Sequence, residues 1–180
     1  MNAMNSVNRL RTRVRDLDRQ RRHRSTARAV LRVLPEPESW LDIGTGEAHF
    51  PETAREFFPY TSFDGVDATT RVTWAREADR VEEAYVGTLT DPPLARALRA
   101  RYDVVTLLRP PSTPEELHAA VAALRPTGIL VLEFPQSHAA GLRTELDAQP
   151  CTVLTTTRLV LDRFATNTHR VVARRDPSPS

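Results

Sequence analysis

The chain contains no lysine and one cysteine, Cys151. Without lysine there is no G-x-x-x-x-G-K-[ST] phosphate loop. A single thiol excludes an internal disulfide framework and any zinc site built on several cysteines. It reads as a small buried hydrophobe near a strand rather than a nucleophile, and such cysteine usage suits a reducing cytoplasm, the expected location. No apolar run approaches the roughly 18 residues of a membrane span. The first arginines are not followed by an apolar segment, so the start does not read as a secretory signal. Aromatic residues make up only 6% of the chain, leaving few platforms for stacking nucleic-acid bases.

What is present fits one soluble globular domain with a substantial core: 180 residues, 40% apolar and 27% charged. All 25 basic residues are arginine, and the formal charge is +2. The arginines crowd residues 9–32, opposed there only by Asp16 and Asp18. Residues 1–8 read as frayed. From about Asn8 to Leu34 the pattern is helical, with Leu10, Val14, Leu17, Ala27, Val30, Leu31 and Leu34 as its apolar stripe. Pro35 and Pro37 end it. Its first half is weakly apolar and free to project or to meet a partner; its second half is expected to pack on a sheet. Residues 1–37 are thus an arginine-rich helical segment, 38–175 the main domain, and 176–180, with two prolines and two serines, a disordered tail.

From Trp40 the chain alternates strand and helix, which predicts a mostly parallel sheet with right-handed crossovers. The run Trp40-Leu41-Asp42-Ile43-Gly44-Thr45-Gly46-Glu47-Ala48-His49-Phe50 reads as a buried strand ending in an acid, a glycine turn and a helix start. Such junctions offer close backbone approach and free N–H groups to nucleotide-type cofactors. The dinucleotide fingerprint G-x-G-x-x-G fails, because His49 stands where its third glycine belongs. Thr61–Asp67 reads as a second strand with a terminal acid, and Asp67 falls 21 residues after Gly46, about the spacing of a ribose-binding carboxylate. Further strands are expected at Ala84–Gly87, Arg101–Leu108 and Ile129–Phe134, the last entered through a Pro126-Thr127-Gly128 turn. Helices are expected near 50–58, 70–78, 91–100, 114–124 and 139–148. The stretch Cys151–Phe164, a turn near Ala165–Asn167 and His169–Arg174 form a closing hairpin.

These segments, in this order over residues 38–135, resemble class I S-adenosylmethionine-dependent methyltransferases. The resemblance implies an α/β, Rossmann-like fold: a mostly parallel seven-stranded sheet with a C-terminal antiparallel hairpin and helices on both faces. It implies S-adenosylmethionine as cofactor, held by Asp42, Gly44, Thr45, Gly46, Asp67, Ala68, Thr88 and Leu89. Asp42 approaches the cofactor's amino group, or alternatively caps the turn. Asp67 accepts from the ribose hydroxyls, or alternatively caps a helix. The third motif glycine is Ala48 here, a change expected to narrow the turn. An acid after the third strand is absent at Thr88 and Leu89, so adenine contact falls to backbone and apolar packing. Asp91 is either a cofactor ligand or an N-cap.

After the fourth strand, Leu107-Leu108-Arg109-Pro110-Pro111-Ser112 departs from the Asn/Asp-Pro-Pro-aromatic motif of amino-group methyltransferases. Arg109 has donors only; it is a candidate for a substrate carboxylate or phosphate, or an exposed loop arginine. His138, just past the fifth strand, is the candidate base. His49, Glu47 and Glu133 are further candidates for the cleft, and His118 is expected in solvent. The loops are short, so within one chain only the N-terminal helix is available as a lid. The reading expected first is methyl transfer to a small molecule by direct displacement. Alternatives are a catalytically silent methyltransferase-like binding or partner subunit, and an RNA methyltransferase using the arginine-rich helix. A homodimer or partner contact through that helix is also expected, and no membrane association.

Overall fold

The computed structural model describes the backbone of residues 2–159 and 167–177 and the side chains of residues 13–159 and 167–177. Helix α1 (Asn2–Leu31) precedes β1 (Ser39–Ile43), α2 (His49–Ala54), β2 (Ser62–Asp67), α3 (Arg71–Glu77) and β3 (Glu83–Val86). There follow α4 (Pro92–Leu98), β4 (Tyr102–Leu107), α5 (Pro114–Ala123), β5 (Leu124–Pro135), a 3-10 turn (Gln136–His138), α6 (Ala139–Asp147), β6 (Cys151–Leu159) and β7 (Thr168–Arg175). The strands form one sheet in the order β3-β2-β1-β4-β5-β7-β6. The first five are parallel, and β7 runs antiparallel to both β5 and β6. This is the α/β sheet with a C-terminal antiparallel hairpin that the sequence implied.

Strand alternation sorts the core into two layers, because successive side chains leave a strand on opposite faces. Trp40, Phe63, Val104, Ile129, Val131 and Val172 face α1 and α2, whose Ala27, Val30, Phe50 and Ala54 close over them. Leu41, Ile43, Val105, Leu107, Leu130 and Leu132 face the other way, against Leu98 of α4, Leu117 and Val121 of α5, and Leu142 and Leu146 of α6. Trp40 sits among Phe50, Phe58 and Phe63 with ring centroids 5.2–5.7 Å apart, within the range of favourable aromatic pairs. The same parity puts Asp42, Thr106, Glu133 and Arg170 on the α1 side of the sheet.

Several boundaries differ from the sequence reading. Helix α1 begins at Asn2 rather than near Asn8, so residues 2–8 are helical and not frayed. No glycine or proline interrupts residues 2–31, and these are the residues that break helices most strongly. Val14 and Leu17 stay exposed at 45% and 53%, while Ala27 and Val30 are fully buried, so only the second half packs on the sheet. The Pro126–Gly128 turn is drawn into β5 as an irregularity: Tyr102 pairs with Leu124 and Val104 with Ile129, and Thr127 takes a φ of 67°. Asp176 does not belong to a loose tail, since its N–H donates to the Pro150 carbonyl (2.9 Å) and its carboxylate accepts from Thr152 Oγ1 (2.9 Å). Residues 160–166, which hold most of the expected turn before Asn167 and the last part of the Cys151–Phe164 stretch, lie outside the described residues, as do 178–180. No helix among the described residues is long and apolar enough to cross a membrane.

Candidate functional site

In open α/β sheets ligands settle at the carboxyl ends of the strands, where the strand order reverses. Here the reversal falls between β1 and β4. Asp42 is the penultimate residue of β1 and only 4% exposed. Its register partner on β4 is Thr106, whose hydroxyl donates to Asp42 Oδ1 at 2.6 Å. Trp40 Nε1 donates in turn to Thr106 Oγ1 (3.2 Å), so the carboxyl is held from below by a buried relay. Burial pushes the Asp42 carboxyl up to about 6, against the pull of its hydrogen bonding. Thr45 lies beside it with its Oγ1 buried and without a well-formed hydrogen bond.

The turn behind β1 is left-handed at Gly44 (φ 72°) and Gly46 (φ 55°), positions that glycine occupies without strain. The Gly44 and Thr45 N–H groups donate to the Val66 carbonyl, pinning the turn to β2. A Cβ built on Gly46 would meet nothing within 4 Å, so the turn presents open space at that point. A Cβ on Gly65 would come within 2.7 Å of Thr45 Cγ2; this glycine, which the sequence did not single out, makes room for the turn. Ala48 does not narrow the turn as expected. It keeps the left-handed geometry (φ 57°) that a glycine would have taken, and its methyl is buried against Ala75 and Val81.

Asp67 ends β2 directly beside this turn. Its Oδ2 accepts from Gly46 N–H (2.9 Å), and its Oδ1 accepts from the N–H (2.8 Å) and hydroxyl (2.6 Å) of Thr69. These donors outweigh partial burial and hold its carboxyl below the usual range. A carboxylate has about four lone-pair sites, so Asp67 can still accept from a ligand. Ala68 follows it, exposed. Thr88 is half-buried, with its N–H donating to Asp91 Oδ2 (2.9 Å) and its hydroxyl paired with that of Thr90. Asp91 is the N-cap residue of α4 by position, but its carboxylate turns back to Thr88 rather than capping the helix. Leu89 departs from expectation: its side chain is 1% exposed and belongs to the core of the α4–α6 layer, so it offers no apolar face to a ligand.

A cleft of about 200 Å³ opens between this turn and α1. Asp42, Gly44, Thr45 and Arg109 wall one side, and Arg19, Arg22 and His23 the other, with His49 at the start of α2. The N-terminal helix therefore covers the cleft, as the short loops implied. Arg109 is partly exposed but is not a free anion receptor. It lies across Gly44, where a Cβ would come within 2.8 Å of its Nε. Its Nη1 and Nη2 donate to Glu116 (3.0 and 2.6 Å), a nearly buried residue of α5. That bidentate pair, with Ser112 N–H also donating to Glu116 (2.6 Å), fixes the post-β4 loop. His49 stands 3.5 and 3.7 Å from Glu47 and Glu52.

Glu133 is also misplaced by the sequence reading. It is buried on the α1 face, where Thr26 Oγ1 (2.5 Å) and Arg170 Nε (2.8 Å) donate to it, and it bolts α1 to the sheet rather than lining the cleft. His138 lies exposed on the 3-10 turn with its ring against Ser137, and does not line the cleft. His118 is exposed and bonds Gln149. Burial pushes the Cys151 thiol up to about 11, as befits an inert cysteine. The residue that sequence reasoning missed is His23. It is buried edge-on to Phe50, and burial with neighbouring arginines lowers its imidazole to about 4, so the ring is neutral at pH 7. Its only sequence signal is its position one helical turn before Ala27.

A family model described as a methyltransferase domain matches residues 17–158. The chain belongs to this methyltransferase family, and its fold is that of the class I enzymes. Solved structures with the same fold include the complex between the Haloferax volcanii Trm112 methyltransferase activator and a methyltransferase (TM-score 0.69, 18% identity, 92% of this chain and 95% of that one). They also include the N-methyltransferase NodS of Bradyrhizobium japonicum (0.67, 13%, 88% and 97%). A third is the 1,6-didemethyltoxoflavin-N1-methyltransferase of Burkholderia thailandensis, with its substrate and S-adenosylhomocysteine bound (0.65, 17%, 98% and 91%). No curated protein matches the chain in sequence.

Proposed function

We propose that the chain is an S-adenosylmethionine-dependent methyltransferase acting on a small molecule. The observation that carries this reading is the convergence of Asp42, the Gly44-Thr45-Gly46 turn and Asp67 at the carboxyl ends of β1 and β2, beside a cleft covered by α1. The 1,6-didemethyltoxoflavin-N1-methyltransferase, similar in fold, supports a small acceptor by its named activity and its bound 1,6-didemethyltoxoflavin.

The residues suit this cofactor. Gly46 leaves the space a Cβ would fill, and Thr45 offers an unsatisfied buried hydroxyl. Asp42 is a buried carboxyl without a cation of its own; an ammonium group beside it relieves the desolvation that burial imposes. Asp67 receives hydroxyl groups on its remaining lone pairs, and Ala68 and the Thr88 backbone border the same edge. Bound S-adenosylmethionine supplies an electrophilic methyl group, transferred by direct displacement to a nucleophilic acceptor atom. The protein then has mainly to position the acceptor and exclude water, and positioning alone is a large part of such catalysis. The Arg109–Glu116 pair holds the loop at the cleft floor, and α1 closes the opposite side. If the acceptor must lose a proton, His49 is placed to take it, ahead of His138.

Calorimetric titration with S-adenosylmethionine and S-adenosylhomocysteine tests the reading. Saturable binding by the wild-type chain, lost in Asp67→Ala, is the result expected. A folded chain that binds neither compound overturns it.

A further inference from the structure

We propose that the cleft beneath α1 takes an acceptor carrying an anionic group, a carboxylate or a phosphate, which Arg19 and Arg22 hold. This rests on the methyltransferase reading and specifies the class of substrate for that same site.

The inner cleft is walled by three guanidiniums, from Arg19, Arg22 and Arg109, and one carboxyl, Asp42. The three cations are not equivalent. Arg109 is neutralised by its bidentate pair with Glu116 and lies over Gly44, on the cofactor's side of the cleft. Arg22 stands on the opposite wall. Its one ionic partner among the described residues is Glu133, with Nε and Oε2 3.5 Å apart. That is too long for a good hydrogen bond, and both atoms are buried without another partner. Glu133 is already compensated: Arg170, itself 3% exposed, approaches it with Nε and Nη2, each at 2.8 Å. The Glu133 and Arg170 charges cancel, which leaves the Arg22 guanidinium as surplus positive charge at the cleft.

Arg19 uses Nη2 on Asp16 (2.9 Å) in an exposed pair, of a kind worth little in water. Its other donors have no partner among the described residues and can turn inward. Two guanidinium forks one helical turn apart match the geometry of an oxyanion, which each can bind by paired hydrogen bonds. The space continues outward between α1 and α2 as a second cleft of about 470 Å³ that shares Arg19, His23 and His49. That outer part is of mixed charge, lined by Arg13 and Arg19 together with Asp16 and Glu52, and by the apolar Leu17. The unbalanced positive charge is therefore confined to the inner end, and an acceptor there is bound by its acid group with its remainder along α1.

Phosphate and benzoate, titrated at low ionic strength into the chain saturated with S-adenosylhomocysteine, probe the site. The readout is the chemical shifts of the His23 and His49 ring protons. Saturable binding of at least one anion is expected, weakened about tenfold in Arg22→Gln and in Arg19→Gln, the equivalent of one charge-assisted hydrogen bond each. Arg76→Gln, on the exposed face of α3, leaves it unchanged. S-adenosylhomocysteine affinity stays the same in all three variants. Tighter benzoate identifies a carboxylate acceptor, and tighter phosphate a phosphorylated one. The proposal is overturned if neither anion shifts the histidines, if Arg76→Gln weakens binding as much, or if Arg22→Gln lowers S-adenosylhomocysteine affinity instead. Failure of the wild-type chain to bind S-adenosylhomocysteine sinks the cofactor reading; the anion titration, repeated on the unliganded chain, then tests the arginine site by itself, and absence of a shift there overturns that as well.

Discussion

Replacing Asp42 by asparagine separates what the site costs the fold from what it does for the ligand. Burial raises the Asp42 carboxyl from 3.8 to about 6. A carboxyl with a raised folded-state value favours the native state while protonated, and that advantage disappears as pH climbs through the raised value. Above pH 6 the ionised group opposes folding by about two pKa units, or about 3 kcal/mol. Asparagine has the same shape, and its Oδ1 still accepts from Thr106, but it never ionises. Asp42→Asn should therefore stabilise the unliganded chain at pH 7.5 by up to about 3 kcal/mol, or roughly 6–12 °C in melting temperature for a chain of this size. The gain should shrink below about 1 kcal/mol at pH 4, where the folded carboxyl is protonated and the unfolded one is already partly so. Urea unfolding of the two chains from pH 4 to 8 measures the difference directly. S-adenosylhomocysteine binding should be lost in the same variant. A gap that does not widen between pH 4 and 6, or an asparagine variant less stable at pH 7.5, refutes the reasoning.

His23 should act in the opposite sense. Its imidazole, lowered from 6.5 to about 4, gives stability that is intact above 6.5 and is lost as pH falls, on the order of 2 kcal/mol between pH 7 and 5; His23→Gln should remove that slope in urea unfolding. Glu133→Ala leaves the buried Arg170 guanidinium unpaired and should cost about 3–5 kcal/mol, with faster hydrogen exchange over residues 20–31 of α1. Gly46→Ala must hold a left-handed φ and should destabilise by only about 1 kcal/mol, yet its Cβ enters the open cradle and should abolish cofactor binding in calorimetry. Tyr102→Phe removes the 2.7 Å hydrogen bond from its buried hydroxyl to Asp64 and should lower stability by about 1–3 kcal/mol, with cofactor affinity unchanged.

The strand-and-turn end of the candidate site was legible in the sequence because it is nearly local. Strand, acid, glycine turn and helix follow one another within residues 40–50, and Asp67 enters through a spacing that the βαβ unit sets. The cleft beneath α1 was not legible, because it depends on which face of the sheet each residue takes. Glu133 shares parity with Ile129 and Val131, so it faces α1; that follows only once α1 is known to cover that face. Its partner Arg170 arrives 37 residues later through the antiparallel register of β7. Arg109 reads as a loose loop residue until Glu116, seven positions on, is brought beneath it by the turn into α5. Ala48 shows the reverse: the motif letter changed while the backbone conformation it encodes did not, at a strain cost of about 1–2 kcal/mol partly offset by burying its methyl.

The most direct test of the central claim is a crystal structure of the chain with S-adenosylhomocysteine. The ligand's amino group should lie at Asp42, its backbone contacts on Gly44–Gly46 and its ribose hydroxyls on Asp67. A ligand bound elsewhere, or a turn closed over an empty edge of β1 and β2 at saturating ligand, contradicts it.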